Sequence, residues 1–86
     1  RILIVDDVPE NIELLGHSLA ADYEVQFAVS GARALELLGA GRQPDLILLD
    51  VMMPDMDGYE TCRRIKAMPE LAEVPVIFVT AADAEE

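Results

Sequence analysis

The chain has 86 residues, which suits one domain with a small hydrophobic core. Hydrophobic residues make up 52% of it and the mean hydropathy is +0.26, which favours strands that are buried on both faces. The formal net charge is −11, from 17 acidic and 6 basic residues. This balance argues against direct binding to nucleic acid, because Lys and Arg are needed to neutralise phosphates.

The single cysteine, Cys62, rules out an internal disulfide and fits a reducing compartment such as the cytoplasm. We expect a buried structural thiol there, and we expect the lone histidine, His17, on a helix surface. No apolar run approaches the ~20 residues that cross a bilayer, so the sequence predicts a cytoplasmic domain without membrane contact. Because the chain begins at Arg1 and not at Met, we expect that a preceding segment is missing.

The first half of the chain alternates strand and helix patterns. Residues 1–5 (RILIV) form an apolar run that predicts a buried strand. Pro9 suits the first turn of a helix with Asp7 or Val8 as its lead-in, and its apolar face carries Ile12, Leu15 and Leu19. Residues 23–28 (YEVQFA) alternate as a second strand. Ser30 is a good N-cap for a helix that ends near Gly39 and Gly41.

The second half repeats this order. Residues 45–50 (DLILLD) form a continuous apolar run that predicts a central parallel strand. A loop at residues 51–57 leads to a third helix, which starts at Gly58 and has Tyr59, Cys62 and Ile65 near one face. Residues 76–80 (VIFVT) predict a fourth buried strand. The order βαβαβαβ predicts a doubly wound parallel α/β sheet with right-handed crossovers.

Acidic and hydroxyl side chains stand where three of these strands end. Asp6 and Asp7 follow the first strand, Asp50 ends the third and Thr80 ends the fourth. Because the carboxyl ends of parallel strands meet at one edge of the sheet, we expect these groups to converge. Asp6 or Asp7 alone could be a helix N-cap, whereas Asp50 after Leu-Ile-Leu-Leu would be a costly desolvated charge unless it is paired or bound to metal.

A hard divalent cation would relieve the repulsion between clustered carboxylates. Mg²⁺ suits such a site because it uses few carboxylates, keeps several waters and accepts phosphate oxygens. An aspartate can also accept a phosphoryl group covalently, and a nearby hydroxyl such as that of Thr80 could bond the new phosphoryl oxygen. The pattern therefore indicates a Mg²⁺-assisted phosphoacceptor centred on Asp50.

The sequence resembles the receiver domains of two-component response regulators. The resemblance is carried by residues 2–7 (ILIVDD), 45–58 (DLILLDVMMPDMDG) and 75–81 (PVIFVTA), and it covers essentially the whole chain. It implies a flavodoxin-like fold with strand order 2-1-3-4 over residues 1–86. It also implies phosphoryl transfer from a histidine kinase or a phosphotransfer protein, and signalling by a conformational switch rather than enzymatic turnover.

The resemblance assigns a role to each matching residue around the metal. Asp50 is the phosphorylated aspartate and also a metal ligand. Asp7 binds Mg²⁺ directly, and Asp6 binds it directly or through water. Met52 supplies its backbone carbonyl to the metal, which leaves its side chain free to vary.

The remaining motif residues would shape the phosphate pocket. Thr80 is the switch hydroxyl, and Ala81 is the small residue that leaves room for phosphate. Pro54 and Gly58 shape the loop after the acceptor.

The sequence departs from the family after the fourth strand. Family members carry a fourth helix, a fifth strand that ends in a lysine, and a fifth helix, whereas this sequence ends near the start of the fourth helix. Its only lysine, Lys66, lies in the third helix. We therefore expect the 86-residue chain to be a partial receiver domain that binds Mg²⁺ but accepts phosphate poorly. We also expect a dimer or a swapped assembly through the uncovered edge of the fourth strand.

Three other functions compete with that of a phosphoacceptor receiver domain. A phosphatase of the haloacid dehalogenase type would need a second acid where Met52 stands. A dinucleotide-binding domain would need a glycine-rich turn where residues 6–9 (DDVP) stand, and this excludes it. The serious alternative is a receiver-like interaction or dimerisation module that is not phosphorylated, which the missing lysine favours and the retained aspartates oppose.

Overall fold

The structure is a computed structural model that describes residues 1–41 and 43–79. Its elements in chain order are β1 (Ile2–Val5), α1 (Pro9–Leu19), β2 (Val25–Ala28), α2 (Gly31–Gly39), β3 (Leu46–Asp50), α3 (Gly58–Lys66), a 3₁₀ turn (Pro69–Leu71) and β4 (Val76–Val79). The strands within these ranges are parallel and lie in the order β2-β1-β3-β4. The doubly wound α/β fold and the strand order predicted from the sequence are therefore confirmed.

The two central strands separate two apolar layers. Successive side chains of a strand point to opposite faces, so the continuous apolar runs of β1 and β3 supply both layers at once. Leu3 and Leu49 belong to the larger cluster, which packs against α2 and α3. Ile2 and Ile4 belong to the smaller cluster, together with Ile12 of α1. The parallel register of β1 and β3 brings their carboxyl ends to the same edge of the sheet.

The helix boundaries follow the capping signals in the sequence. Helix α1 begins at Pro9, and Val8 is its N-cap residue, without a capping hydrogen bond from its side chain. Ser30 caps α2 as predicted, because its Oγ accepts a hydrogen bond of 3.0 Å from the Arg33 amide. Asp57 caps α3 through a bond of 2.9 Å from the Glu60 amide to its Oδ1. Each helix therefore starts within one residue of the position predicted from the sequence.

Two sequence-based expectations about burial are wrong. Tyr59, expected near the inner face of α3, is 61% exposed, and the buried face carries Gly58, Thr61 and Ile65. Strand β4, expected to be buried, leaves Ile77 and Phe78 at 50% and 39% exposure.

The two errors have one physical origin. Strand β4 pairs with β3 on one side and forms the edge of the sheet in the described part of the chain. The Tyr59 ring lies against Phe78 at a centroid distance of 5.1 Å and an interplanar angle of 53°. Tyr59 therefore extends towards β4, and the two rings stabilise each other at the surface.

None of the helices in residues 1–41 and 43–79 is long and apolar enough to cross a membrane.

Candidate functional site

Three aspartates meet at the carboxyl edge of the sheet, between β1 and β3. Asp50 is the last residue of β3, and Asp6 and Asp7 follow β1. Because Val5 pairs with Leu49, the next residues along the two strands, Asp6 and Asp50, lie side by side. One carboxylate oxygen from each of Asp6, Asp7 and Asp50 lies within 4.8 Å of the other two. The convergence of these three acids, predicted from the strand ends, is present.

Burial and mutual repulsion make this cluster electrostatically unfavourable in the absence of a cation. Asp6 and Asp50 are only 4% and 7% exposed, whereas Asp7 is half-buried. Burial raises the pKa of Asp50, and the negative charges of Asp6 and then Asp7 raise it further. The backbone amide of Met52 opposes this rise, because it donates a long hydrogen bond of 3.4 Å to Asp50 Oδ1. A bound cation would favour the charged form of Asp50.

The Asp6 carboxylate is held at both of its oxygens by the start of α1. The Val8 amide donates to Oδ1 at 2.9 Å, and the Asn11 side-chain amide donates to Oδ2 at 3.2 Å. The Asp6 amide itself donates to the Ala28 carbonyl at 3.0 Å, which ties this residue to the end of β2. The role of Asn11 was not predicted from the sequence. The signal that could have indicated it is Asn11 in the first turn of the helix that follows Asp6.

The loop after β3 is shaped by a close approach at Gly58. The Gly58 amide donates to the Val51 carbonyl at 2.9 Å, and a Cβ at Gly58 would lie 2.2 Å from the carbonyl oxygen of Asp50. Only a residue without a side chain allows α3 to begin this close to the acceptor. Within the loop, Asp55 adopts a left-handed backbone conformation (φ 69°), which aspartate tolerates better than most residues.

The donor set of the cluster fits Mg²⁺. Mg²⁺ binds hard oxygen ligands, usually one or two carboxylates together with several waters, and a further acid can bind it through water. Asp6, Asp7 and Asp50 supply such oxygens. A cation bound among them would offset the repulsion that raises the pKa of Asp50. The Met52 side chain is 70% exposed, so only its backbone lies towards the acceptor, and the metal role of its carbonyl stays a prediction.

Three further residues named in the sequence analysis lie away from this cluster or beyond the described residues. Thr80 and Ala81 fall outside the ranges that the structure describes. Lys66 ends α3, at the opposite end from Gly58, and its ammonium donates to the carbonyls of Ala72 and Val74. It therefore does not pair with Asp50, as expected from its position in the sequence.

Comparison with known proteins gives consistent matches. The family model described as the response regulator receiver domain matches residues 2–86. The response regulator PleD of Caulobacter vibrioides is 49% identical over 84 residues, which cover 96% of this chain and 18% of that protein. A probable cyclic di-GMP phosphodiesterase of Vibrio cholerae is 49% identical over 79 residues, which cover 92% of this chain and 18% of that protein.

Solved structures agree with these matches. The N-terminal domain of a response regulator receiver protein from Methanoculleus marisnigri superimposes with a TM-score of 0.86 at 44% identity, over 93% of this chain and 65% of that one. The signal receiver domain of a histidine kinase from Syntrophus aciditrophicus gives a TM-score of 0.84 at 44% identity, over 92% and 60%. This sequence thus spans less than two thirds of each of these relatives. The fold and the carboxylate cluster agree with the family model, and the chain belongs to the response regulator receiver domain family.

Proposed function

We propose that this receiver domain accepts a phosphoryl group on Asp50 from a phosphohistidine of a histidine kinase or a phosphotransfer protein. The proposal includes one Mg²⁺ bound by Asp6, Asp7, Asp50 and the backbone carbonyl of Met52. The observation that carries it is the cluster of three carboxylates, two of them buried, at the carboxyl edge of the two central strands. A site of this kind in a response regulator receiver domain supports phosphoryl acceptance better than a purely structural role.

Each residue has a defined task in this proposal. A carboxylate oxygen of Asp50 attacks phosphorus, so that a P–O bond forms while the bond to the donor imidazole breaks. When bound, Mg²⁺ supplies positive charge that stabilises the transferring group. Asp6 and Asp7 hold the cation, while Gly58 keeps the start of α3 close to the acceptor. Thr80 would bond the new phosphoryl oxygen, and Ala81 would leave room for it.

The proposed role is signalling and not enzymatic turnover. Receiver domains are the signalling parts of response regulators, and the activity of an output domain lies in other parts of such proteins. We propose a cytoplasmic setting, because the donor proteins act there. A conformational change on phosphorylation would carry the signal to a partner or to an attached output domain.

Trapping the acyl phosphate tests the proposal. The protein is incubated with acetyl phosphate and Mg²⁺ and then treated with borohydride, which converts an aspartyl phosphate to homoserine that peptide mass spectrometry locates. We expect homoserine at position 50, none after chelation of Mg²⁺ and none in Asp50→Asn. Asp57→Asn is the matched control, because the exposed Asp57 caps α3 and the amide keeps this cap. Trapping at another aspartate, or trapping that survives chelation, would contradict the proposal.

The extent of labelling tests a separate expectation. Lys66, the only lysine of this sequence, is held at the far end of α3. We therefore expect the 86-residue chain to be labelled slowly and incompletely, so position and Mg²⁺ dependence are the decisive readouts above. Fast and complete labelling would show that a lysine near Asp50 is not needed.

A second candidate function, association through β4, has its own supporting observation. Ile77 and Phe78 leave an apolar surface at the edge of the described sheet. Edge strands with exposed apolar side chains readily pair with another chain. An interaction or dimerisation module that works without phosphate would use this surface and would not need Asp50.

A further inference from the structure

A side-chain amide from α1 contacts the carboxylate cluster without being one of its acids. Asn11 lies in the first turn of α1 and is half-buried. Its Nδ2 donates to Asp6 Oδ2 at 3.2 Å. We infer that Asn11 is a positioning residue for the cation site, which it serves by orienting Asp6. This inference rests on the proposed function, because it assigns Asn11 a task in the same Mg²⁺ site.

The geometry at Asp6 supports this role. The Val8 amide holds Oδ1 at 2.9 Å and Asn11 holds Oδ2, so rotation of the carboxylate is restrained at both ends. An ionised carboxylate offers about four lone-pair positions, so each oxygen keeps a lone pair after accepting one hydrogen bond. Asp6 can therefore be held by the start of α1 and still offer an oxygen to a cation that Asp7 and Asp50 also bind.

The charge of the cluster explains why a neutral amide suits this position. The N–H of Asn11 directs the positive end of its dipole at Asp6 and offsets part of the repulsion between Asp6 and Asp50. A lysine or an arginine would offset more of it, but its full charge would also repel Mg²⁺. Asn11 therefore stabilises the three carboxylates when no cation is bound and does not compete with the cation.

The helix itself does not depend on this side chain. The first turn of α1 already contains Pro9 and Glu10, both favourable there, and the Asn11 backbone amide bonds to the Val8 carbonyl at 3.0 Å. The side chain of Asn11 is directed instead at Asp6. Loss of the amide should therefore change the cation site more than it changes the stability of α1.

Mg²⁺ titration of variants tests the inference. We expect Asn11→Leu, which has a similar size and no donor, to weaken Mg²⁺ binding by about 10-fold, the lower end for residues that orient metal ligands. Its urea midpoint in EDTA should fall only modestly, because the lost amide also offset part of the repulsion between Asp6 and Asp50. Asn11→Ala should behave in the same way if Asn11→Leu folds poorly. Ser18→Ala is the matched control, because it changes the same helix at an exposed position without contacting Asp6.

A spectroscopic readout avoids substitution altogether. Asn11 is the only asparagine of the chain, so selective ¹⁵N labelling of asparagine gives a single pair of side-chain amide signals. We expect this pair to shift on addition of Mg²⁺ with the same midpoint as the backbone amides of Asp7 and Asp50, which a uniformly ¹⁵N-labelled sample reports.

The outcomes separate the inference from the proposed function. If Mg²⁺ binds at Asp7 and Asp50 while the Asn11 side-chain signals stay in place, the inference is overturned and the proposed function stands. Unchanged or tighter Mg²⁺ binding by Asn11→Leu has the same meaning. If the unmodified chain shows no Mg²⁺ binding at these aspartates, the proposed function fails and the inference fails with it.

Discussion

Asp50 ends a buried apolar strand beside two other carboxylates, and this position gives it both its proposed reactivity and a cost in stability. It is 7% exposed, and burial together with the charges of Asp6 and Asp7 raises its pKa. The folded chain therefore binds a proton at Asp50 more readily than the unfolded chain does. The free energy of unfolding should fall as pH rises through the interval between the two pKa values, and the deficit persists at neutral pH.

Substitution of Asp50 by asparagine should remove this deficit. We expect Asp50→Asn to raise the free energy of unfolding at neutral pH by about 1 kcal/mol, which lies within the range of single stabilising substitutions. The difference between the two chains should shrink at acidic pH, where Asp50 is protonated in both states. Urea denaturation in EDTA across this pH range measures it, with Asp57→Asn as the control. A variant less stable than the unmodified chain at neutral pH would show that the charge of Asp50 is not costly.

Close packing of the start of α3 against the end of β3 determines the shape of the loop at residues 51–57. A Cβ at Gly58 would meet the Asp50 carbonyl oxygen at 2.2 Å and the Val51 Cα at 2.8 Å, and both are backbone atoms that cannot move away cheaply. Helix α3 would have to shift, and the hydrogen bond from Gly58 to Val51 would be strained. Packing between these two elements therefore depends on the absence of one methyl group.

Two glycine substitutions separate this packing from general helix propensity. We expect Gly58→Ala to destabilise the fold by about 1–3 kcal/mol, the usual cost of overpacking. Gly39→Ala, at the end of α2 with no atom within 4 Å of the added Cβ, should be neutral or stabilise by about 0.5–1 kcal/mol. Thermal or urea unfolding of both variants gives the comparison. Equal stability of the two variants would mean that α3 can shift at little cost.

The fold was predictable from local patterns, and the wrong expectations arose where tertiary contacts decide. The apolar runs of residues 1–5 and 45–50 indicated central strands, since side chains on both faces of such strands are buried. Strand β4 has a similar composition, so its apolar run alone predicted burial. Its position at the edge of the described sheet, which the family resemblance implied, leaves Ile77 and Phe78 exposed. Tyr59 fits a helical periodicity, yet its ring packs outwards on Phe78.

The candidate site was predictable to a similar degree. The parallel sheet places the three acids together, so topology alone indicated the cluster around Asp50. The bond from Asn11 to Asp6 depends on the backbone path from the end of β1 into α1. The close contact at Gly58 depends on the angle at which α3 leaves its loop. Neither feature follows from the spacing of residues in the sequence. The hydrogen bond and the close contact both depend on how the folded elements pack.

At the scale of the whole molecule, a strongly acidic composition coexists with exposed apolar side chains on the edge strand of the described sheet. The net charge of −11 disfavours close approach of two copies, whereas Ile77 and Phe78 on β4 favour it. Close association through β4 would bury these side chains and pair the strand, and salt would strengthen it by screening the repulsion.

Light scattering at increasing protein concentration tests this association. We expect a dimer whose share rises with concentration and salt, and we expect Ile77→Lys to weaken it. Leu14→Lys is the control, because it makes the same change of charge at a residue of α1 that is 73% exposed. A monomeric mass at high concentration, or equal weakening by both variants, would rule out β4 as the contact.

The most direct test of the central claim is the effect of Mg²⁺ on stability. A ligand that binds only the folded chain raises the free energy of unfolding by about 2.7 kcal/mol at 100 times its dissociation constant. We predict that saturating Mg²⁺ stabilises the unmodified chain and Asp57→Asn alike, and that Asp7→Asn loses the stabilisation. Stabilisation of Asp7→Asn equal to that of the unmodified chain, or no stabilisation of the unmodified chain by Mg²⁺, would contradict a cation site at Asp6, Asp7 and Asp50.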